Sequence, residues 1–495
     1  MLTALIFLPL LGSLILLCLP RENHRALRGV ATFFTAAELL ISLLLVARFV
    51  PGQAGMQFTE RYDWIPSLGI SYHLGVDGVS LALLVLTALV TLLSAITSYS
   101  ITERVKDFYV LLLLLETGML GVFAALDYVL FYVFWELVLV PMYFLIGIWG
   151  GPRRQYAALK FFIYTLAGSV IMLVGILALY FGSGLGTFDM LALQEAGRSL
   201  SSHLQWWVFI AFFLGFAVKV PIFPFHTWLP DAHVEAPTGG SMLLAGILLK
   251  MGAYGFYRIS LPTLPDATQA FAVTLATLGV INIVYGAFVA MAQQDLKRMV
   301  AYSSISHMGF VMLGLAAMTP RSLSGAVFVM LSHGLISPLM FFLVGTVLYE
   351  RTHTRIIDEL GGLYNRMPVA AVVLAFGIFA NLGLPGLSGF VGEFATLLGS
   401  FDVFRTLVIA ASLGLVITAA YHLWMMQRVL MGEANTVGGV GLLPDISRRE
   451  LLVAVPLMAL ILFLGVYPAP TFAFFNDAIL RLQNMVQLAS LGGGF

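Results

Sequence analysis

The chain has 495 residues, of which 60% are apolar and only 10% charged, with 25 basic and 25 acidic side chains and no net charge. A soluble chain normally carries about a quarter of its residues charged, and the mean hydropathy of +0.97 is far above what a water-covered globule shows. A soluble enzyme, a disordered chain and a nucleic-acid binder are excluded, because there is neither polar surface nor a basic run to track phosphates.

Apolar runs of spanning length occur at 2–20, 29–50, 76–100, 107–126, 128–149, 157–182, 204–227, 238–259, 267–292, 297–319, 322–349, 368–403, 406–432 and 451–468. At about 20 residues per crossing, they predict about 14 transmembrane helices and an all-α polytopic membrane protein. The first run lacks a basic leader and a small-residue cleavage site, so it reads as a retained helix. Residues 51–75 read as a short extramembrane hairpin or loop, and 469–495 as an interfacial helix.

Basic residues set the expected orientation. Sixteen of the 25, among them Arg21, Arg153, Lys297 and Arg351, fall in loops after odd-numbered spans, and seven fall on the other side. The odd loops are therefore expected in the cytoplasm, and both termini on the outer, periplasmic side.

The single cysteine, Cys18, rules out an iron–sulfur cluster or a thiolate zinc site built by this chain alone. No P-loop and no GxGxxG opens a helix, so no nucleotide site is expected. Function must then lie inside the membrane, where each ionisable side chain costs about 2.5–3.5 kcal/mol. Glu38, Glu116, Glu136, Lys219, Lys250 and Glu393 all lie within predicted spans, with His307, His333 and His422.

Glu136 lies about nine residues into span five, as a proton-carrying group or as one half of a packing salt bridge. Lys219 precedes Pro221 and Pro224, each of which removes a backbone donor and breaks span seven. The carbonyls of Ala217 and Val220 are expected to be freed there, which at membrane depth requires a polar, protein-lined cavity. Lys250 is midway along span eight, either a proton acceptor or the partner of a fixed acid. His307 and His333 each have hydroxyls nearby in sequence (Ser304 and Ser306; Ser332 and Ser337), and a histidine can both give and take a proton near neutrality. Gly383, Pro385, Gly386 and Gly389 break span twelve, placing Glu393 in the first turns of a second half-helix whose positive end favours a carboxylate. Glu116 reads only as a partner group, Glu38 and His422 as weaker still, and Asp231 and Glu235 as capping or loop residues.

The breaks at Pro221/Pro224 and at Pro385 are five spans apart. Five is odd, so equivalent helices run in opposite directions, which predicts two inverted five-helix repeats with discontinuous helices 7 and 12. The expected organisation is 1–106 for helices 1–3 with the external loop, 107–260 for a first half-channel, 261–432 for a second, and 433–495 for helix 14 and the tail.

Six stretches carry a resemblance: LGVDGVSL (74–81), FWELVLVPMYFLIGIWG (134–150), KVPIFPFHTWLPDAHVEAPT (219–238), LLAGILLKMGAYGFYR (243–258), DLKRMVAYSSISHMGF (295–310) and GLPGLSGFVGEF (383–394). With them the chain resembles the antiporter-like M-type subunits of NADH:quinone oxidoreductase (respiratory complex I), counterparts of the mitochondrially encoded subunit 4. The resemblance implies proton translocation through a midplane chain of Glu, Lys and His residues, driven by electron transfer in other subunits. It makes Glu136 and Lys219 a coupled acid–base pair, Lys250 the central lysine, His307 and His333 linking groups, and Glu393 the terminal group. Other antiporter-like chains usually carry lysine at that last position, so the glutamate points to the M-type.

By the same resemblance the chain holds no cofactor. NADH, FMN, iron–sulfur clusters and quinone are expected in partner subunits, neighbouring antiporter-like chains are expected alongside, and the location is the bacterial inner membrane. The competing readings are a subunit of a multi-subunit sodium/proton antiporter, and a scaffold in a related hydrogenase or dehydrogenase complex.

Overall fold

A computed structural model describes residues 1–53, 55–432 and 443–492, with side chains as far as 486 and excepting position 198. The boundary expected between the second unit and the C-terminal segment abuts 433–442, which lie outside the described residues.

The chain is a bundle of helices with one small hairpin. In chain order these are α1 (Leu2–Cys18), α2 (His24–Arg48), strands β1 (Gln57–Ile65) and β2 (Ile70–Val76), α3 (Gly78–Ser100), α4 (Val105–Ala124), α5 (Tyr128–Trp149) and α6 (Arg154–Ser183). Then come α7 (Ser202–Lys219), α8 (Trp228–Glu235), α9 (Thr238–Thr263), α10 (Pro265–Met291), α11 (Leu296–Ala317) and α12 (Pro320–Thr352). The chain ends with α13 (Pro368–Asn381), α14 (Ser388–Ser400), α15 (Arg405–Leu430), α16 (Arg448–Val466) and α17 (Ala469–Gly492).

Among the described residues, twelve helices are long and apolar enough to cross a membrane. The other two apolar runs fall on shorter helices: α1, and the pair α13 and α14. The protein is therefore an all-α, multi-pass membrane protein.

Polar side chains start the helices where the apolar runs begin. Asp77 accepts from the amides of Val79 (3.1 Å) and Ser80 (3.0 Å) at α3, and Asp127 accepts from Val129 (2.9 Å) and Leu130 (3.2 Å) at α5. Thr319 and Ser322 form a reciprocal cap at α12, and Ser447 and Glu450 do so at α16.

Burial sorts the helices into a centre and a periphery. The apolar windows of α9 and α12 are 100% buried and that of α11 94%, against 33% for α2 and 28% for α16. The three central helices carry Lys250, His333 and His307.

The two expected breaks are present. Between α7 and α8 the chain leaves the helix at Val220 and resumes at Trp228, and between α13 and α14 it is non-helical from Leu382 to Leu387. The region read as a hairpin or loop is an antiparallel pair, with Tyr62 opposite Tyr72 and Arg61 opposite His73. Met1 and α17 both reach this hairpin side: the Met1 amino group pairs with Glu60, and the Gly52 amide donates to Asp477 of α17 (2.5 Å).

Candidate functional site

The first half of the site is built around the α7 break. Lys219 is the last residue of α7 and is 2% exposed, and its ammonium has no hydrogen-bond partner among the described residues. It lies over the Trp135 ring at 5.2 Å and near the Phe161 ring at 5.9 Å, where the ring faces attract a cation. Glu136 follows Trp135 in α5, next to an interruption of the helix at Val138, three residues before Pro141. One oxygen of Glu136 also lacks a partner. The acid and the lysine are thus near neighbours through Trp135, without direct contact.

The expectation of freed carbonyls at this break is corrected in part. Ala217 O accepts from the Ile222 amide (2.8 Å), a wider turn that replaces the bond Pro221 cannot make. Asn282 of α10 fills the rest: its Oδ1 accepts from the Phe223 amide (2.8 Å) and its Nδ2 donates to Pro221 O (3.0 Å). The Trp228 indole donates to Val218 O (2.9 Å). A carboxamide on a separate helix therefore holds the break open.

Asp231 and Glu235 act as ion-pair partners here, beyond the capping or loop role read from sequence. Asp231 pairs with Lys160 (2.7 Å) and Arg298 (3.3 Å), and Glu235 accepts from the Arg153 amide (2.9 Å). These bonds tie α8 to α6 and α11.

The second half is a contiguous run of titratable side chains. Lys250 is wholly buried in α9, directly after a widened π-helical turn at Leu244–Leu248. Such turns are often found at functional positions. Its ammonium donates to Ala245 O, a carbonyl of that turn, and to His333 Nδ1 (2.6 Å). The His333 and His307 rings are 5.5 Å apart, centre to centre. His307 Nδ1 donates to Glu393 Oε1 (2.6 Å).

Each histidine therefore commits Nδ1 to its partner, and Nε2 of each has no partner among the described residues. A cavity lined by His307, Ser332, His333, Asn381 and Glu393 has about 10 Å³ of free volume, roughly one water molecule. A base, two imidazoles and an acid in series, bonded at both ends and with the two rings 5.5 Å apart beside a water-sized cavity, can pass a proton in either direction.

Several expectations about neighbours change. The serines near the histidines in sequence bond elsewhere: Ser304 to Ser337 (3.2 Å), Ser306 to Ile283 O (2.8 Å) and Ser332 to Ser388 (3.0 Å). Glu393 is held by His307, and no amide of its own half-helix bonds it among the described contacts. Gly383, in the left-handed region at φ +82, passes so close that a Cβ there would be 3.3 Å from Glu393 Oε2.

His422 proves to be connected. Its Nε2 meets Asn381 Nδ2 (2.8 Å), which also reaches Ser303 (3.3 Å), at the end of α13 where the break begins. Asn381 was missed by sequence reading, although an amide in an apolar run beside a Gly-Pro break was a usable signal. His233 was missed as well: it is fully buried, stacked on Phe341 at 4.3 Å, and neither ring nitrogen has a partner among the described residues. Glu38 and Glu116 face one another between α2 and α4, both fully buried and in side-chain contact, with Thr91 beside Glu116.

The sequence profile of the family described as NADH:quinone oxidoreductase/Mrp antiporter, TM, matches residues 125–418, which contain all six members of the site. The chain is 45% identical to NADH-quinone oxidoreductase subunit M of Rhodobacter capsulatus over 484 residues, covering 95% of this chain and 93% of the relative. It is 42% identical to NADH-ubiquinone oxidoreductase chain 4 of Chondrus crispus, covering 97% and 96%. A chain in the structure of respiratory complex I from Thermus thermophilus with bound NADH superposes with a TM-score of 0.87 at 33% identity, covering 98% of this chain and 100% of that one. A chain of the Mrp complex from Dietzia sp. shares the fold alone, at 20% identity and a TM-score of 0.85, covering 99% of each chain. The chain belongs to the NADH:quinone oxidoreductase/Mrp antiporter membrane family, among its complex I subunit M chains.

Proposed function

We propose that this chain translocates protons as a membrane subunit of an NADH:quinone oxidoreductase, along Lys250, His333, His307 and Glu393, with Glu136 and Lys219 as the acid–base pair of the first half. The continuity of that run through the buried centre of the bundle carries the reading. The redox reaction belongs to partner subunits, which hold NADH, FMN, iron–sulfur clusters and quinone, and neighbouring antiporter-like chains lie alongside in the membrane arm. Names of relatives that align over nearly the whole chain support this assignment.

The two helix breaks, each beside a buried charge, support a reading of 107–260 and 261–432 as inverted half-channels. The uneven distribution of basic residues supports a bacterial inner-membrane location with both termini outside.

The test is Glu393→Gln in the assembled complex. An amide accepts the bond from His307 but cannot carry a proton, so complex content on a native gel should be unchanged while proton uptake per electron in sealed vesicles falls. Glu393→Lys, which keeps a titratable group, should be milder than Glu393→Ala. Full proton yield from the Gln variant removes Glu393 from the path. Purification of the chain with no redox subunits would instead assign it to an antiporter of the same family.

A further inference from the structure

A second polar feature lies on the hairpin side, apart from the proton run. There the start of α3, the end of α9, the short helix Met190–Ala196 and α17 enclose a cavity lined by Asp77, Arg258, Arg481, Gln194 and apolar side chains such as Leu191 and Leu482. Asp77 and Arg258 neutralise one another at 2.5 Å, with side chains only 2% and 8% exposed. Each is held further: Asp77 Oδ1 caps α3, and Arg258 Nε donates to the Tyr254 hydroxyl (3.0 Å). Gln194 donates to Arg258 O (2.8 Å).

Arg481 is different. Its only bond among the described contacts runs from Nε to Asp477 O, a long 3.3 Å. The Asp477 carboxylate turns away to accept from the Gly52 amide (2.5 Å). No carboxylate among the described residues forms an ion pair with the Arg481 guanidinium. The charged lining of this cavity of about 230 Å³, Asp77 against Arg258 and Arg481, therefore carries one net positive charge, and the outer nitrogens of the Arg481 fork have no hydrogen-bond partner among the described contacts. A guanidinium in such a setting recognises a phosphate oxygen pair better than it does a compact halide.

We propose that this cavity is a binding site for a phosphate-bearing anion held by Arg481. The apolar lining and the level of the cavity, at the ends of α3 and α9 where bilayer headgroups lie, favour the phosphodiester of an anionic phospholipid. Glycerol and the first methylenes of the chains then cover the apolar wall, and α17 is clamped against the body through its own arginine. Free phosphate shares the recognition chemistry but leaves that wall bare.

The experiment uses the detergent-purified complex that contains the full chain, stripped of loosely held lipid. Bound phospholipid is counted by native mass spectrometry, and thermal unfolding is followed with added phosphatidylglycerol, phosphatidylcholine or inorganic phosphate. The expected result is retention of one phospholipid that Arg481→Gln loses, and a protective shift from phosphatidylglycerol that this variant lacks. Arg405→Gln, outside the cavity, should keep both. Leu482→Trp fills the cavity while leaving the charge in place, and should also lose the lipid. It serves as the second measurement where Arg481→Gln lowers assembly. Protection by inorganic phosphate alone, lost in Arg481→Gln, supports the anion site and assigns it to free phosphate. Equal lipid retention and equal protection in wild type, Arg481→Gln and Leu482→Trp overturns the proposal.

Discussion

At the scale of single residues, the decisive detail is which imidazole nitrogen is occupied. His333 and His307 each use Nδ1 for a titratable partner and leave Nε2 buried without a partner among the described residues. Such a ring can take a proton on one nitrogen and release it from the other, which an amide in the same place cannot do. His333→Asn should therefore retain a polar contact to Lys250 and normal assembly while coupled proton uptake falls by roughly tenfold or more, the scale on which positioned acid–base groups act. Proton uptake and quinone reduction measured together on the same vesicles check this, and an unchanged ratio would remove His333 from the path. Glu136→Gln tests the first half in the same way. The Glu136 charge can be felt by the Lys219 ammonium only while both remain in this neighbourhood, and the two form no direct ion pair here. Normal pumping by an assembled Glu136→Gln complex would exclude the pair.

At the scale of elements, the site depends on how closely α9 can approach α7. Gly252 lies two residues beyond Lys250, and a Cβ there would be 2.9 Å from both Lys219 Cβ and Phe216 O, and 2.8 Å from a Val220 methyl. Phe216 O is backbone and cannot yield without moving the helix. Gly252→Ala should cost about 1–3 kcal/mol by overpacking, lower the melting temperature, and displace Lys219 relative to Lys250. A melting curve matching wild type would show that α9 is less tightly held than this geometry implies. Sequence made much of this scale legible: the prolines and glycines that end α7 and α13 announce both breaks, and the charges beside them stand out because apolar runs admit few. The groups that complete the breaks were not legible. Asn282 is some sixty residues from Pro221, in an α10 pattern that offers no reason for it, and only packing brings the two together. The widened turn before Lys250 also has no specific local signature, since Gly246, its one poor helix former, sits among ordinary ones and glycines are frequent in membrane helices. The hydroxyls that lie near the histidines in sequence bond elsewhere for a related reason. Residues three or four apart in a helix share a face and residues one apart do not, and each hydroxyl is satisfied by a carbonyl or by another helix.

For the molecule as a whole, the hairpin acts as a strap joining elements far apart in sequence. The Ser71 amide donates to Asp127 (3.0 Å) at the start of α5, and His73 Nδ1 meets Asp189 Oδ2 (2.8 Å) in the connection after α6. Asp189 also caps the short helix Met190–Ala196 through the amides of Leu191 and Ala192, both at 3.0 Å. Burial works to raise the Asp189 carboxyl, but the His73 hydrogen bond, the Ala192 amide and the positive neighbours outweigh it and hold it below its ordinary value. A carboxyl depressed in the folded state contributes stability that is fully present above the unfolded-state value of about 4 and is lost as pH falls through the folded value. The strap should therefore hold across the neutral range and loosen only below about pH 4, where protonated Asp189 gives up its charge-assisted bonds. Hydrogen exchange of the 57–76 amides, corrected for the intrinsic rate and followed from about pH 6 down to about pH 3, should show protection falling over the lower part of that window. Asp189→Asn should start from weaker protection at neutral pH and lose this acid step, because the amide has no charge to give up. A step of the same size in Asp189→Asn would place the pH dependence on another group. A loss of protection absent from Asp189→Asn but centred well above about pH 4 in the wild type would contradict the sign of the Asp189 shift itself.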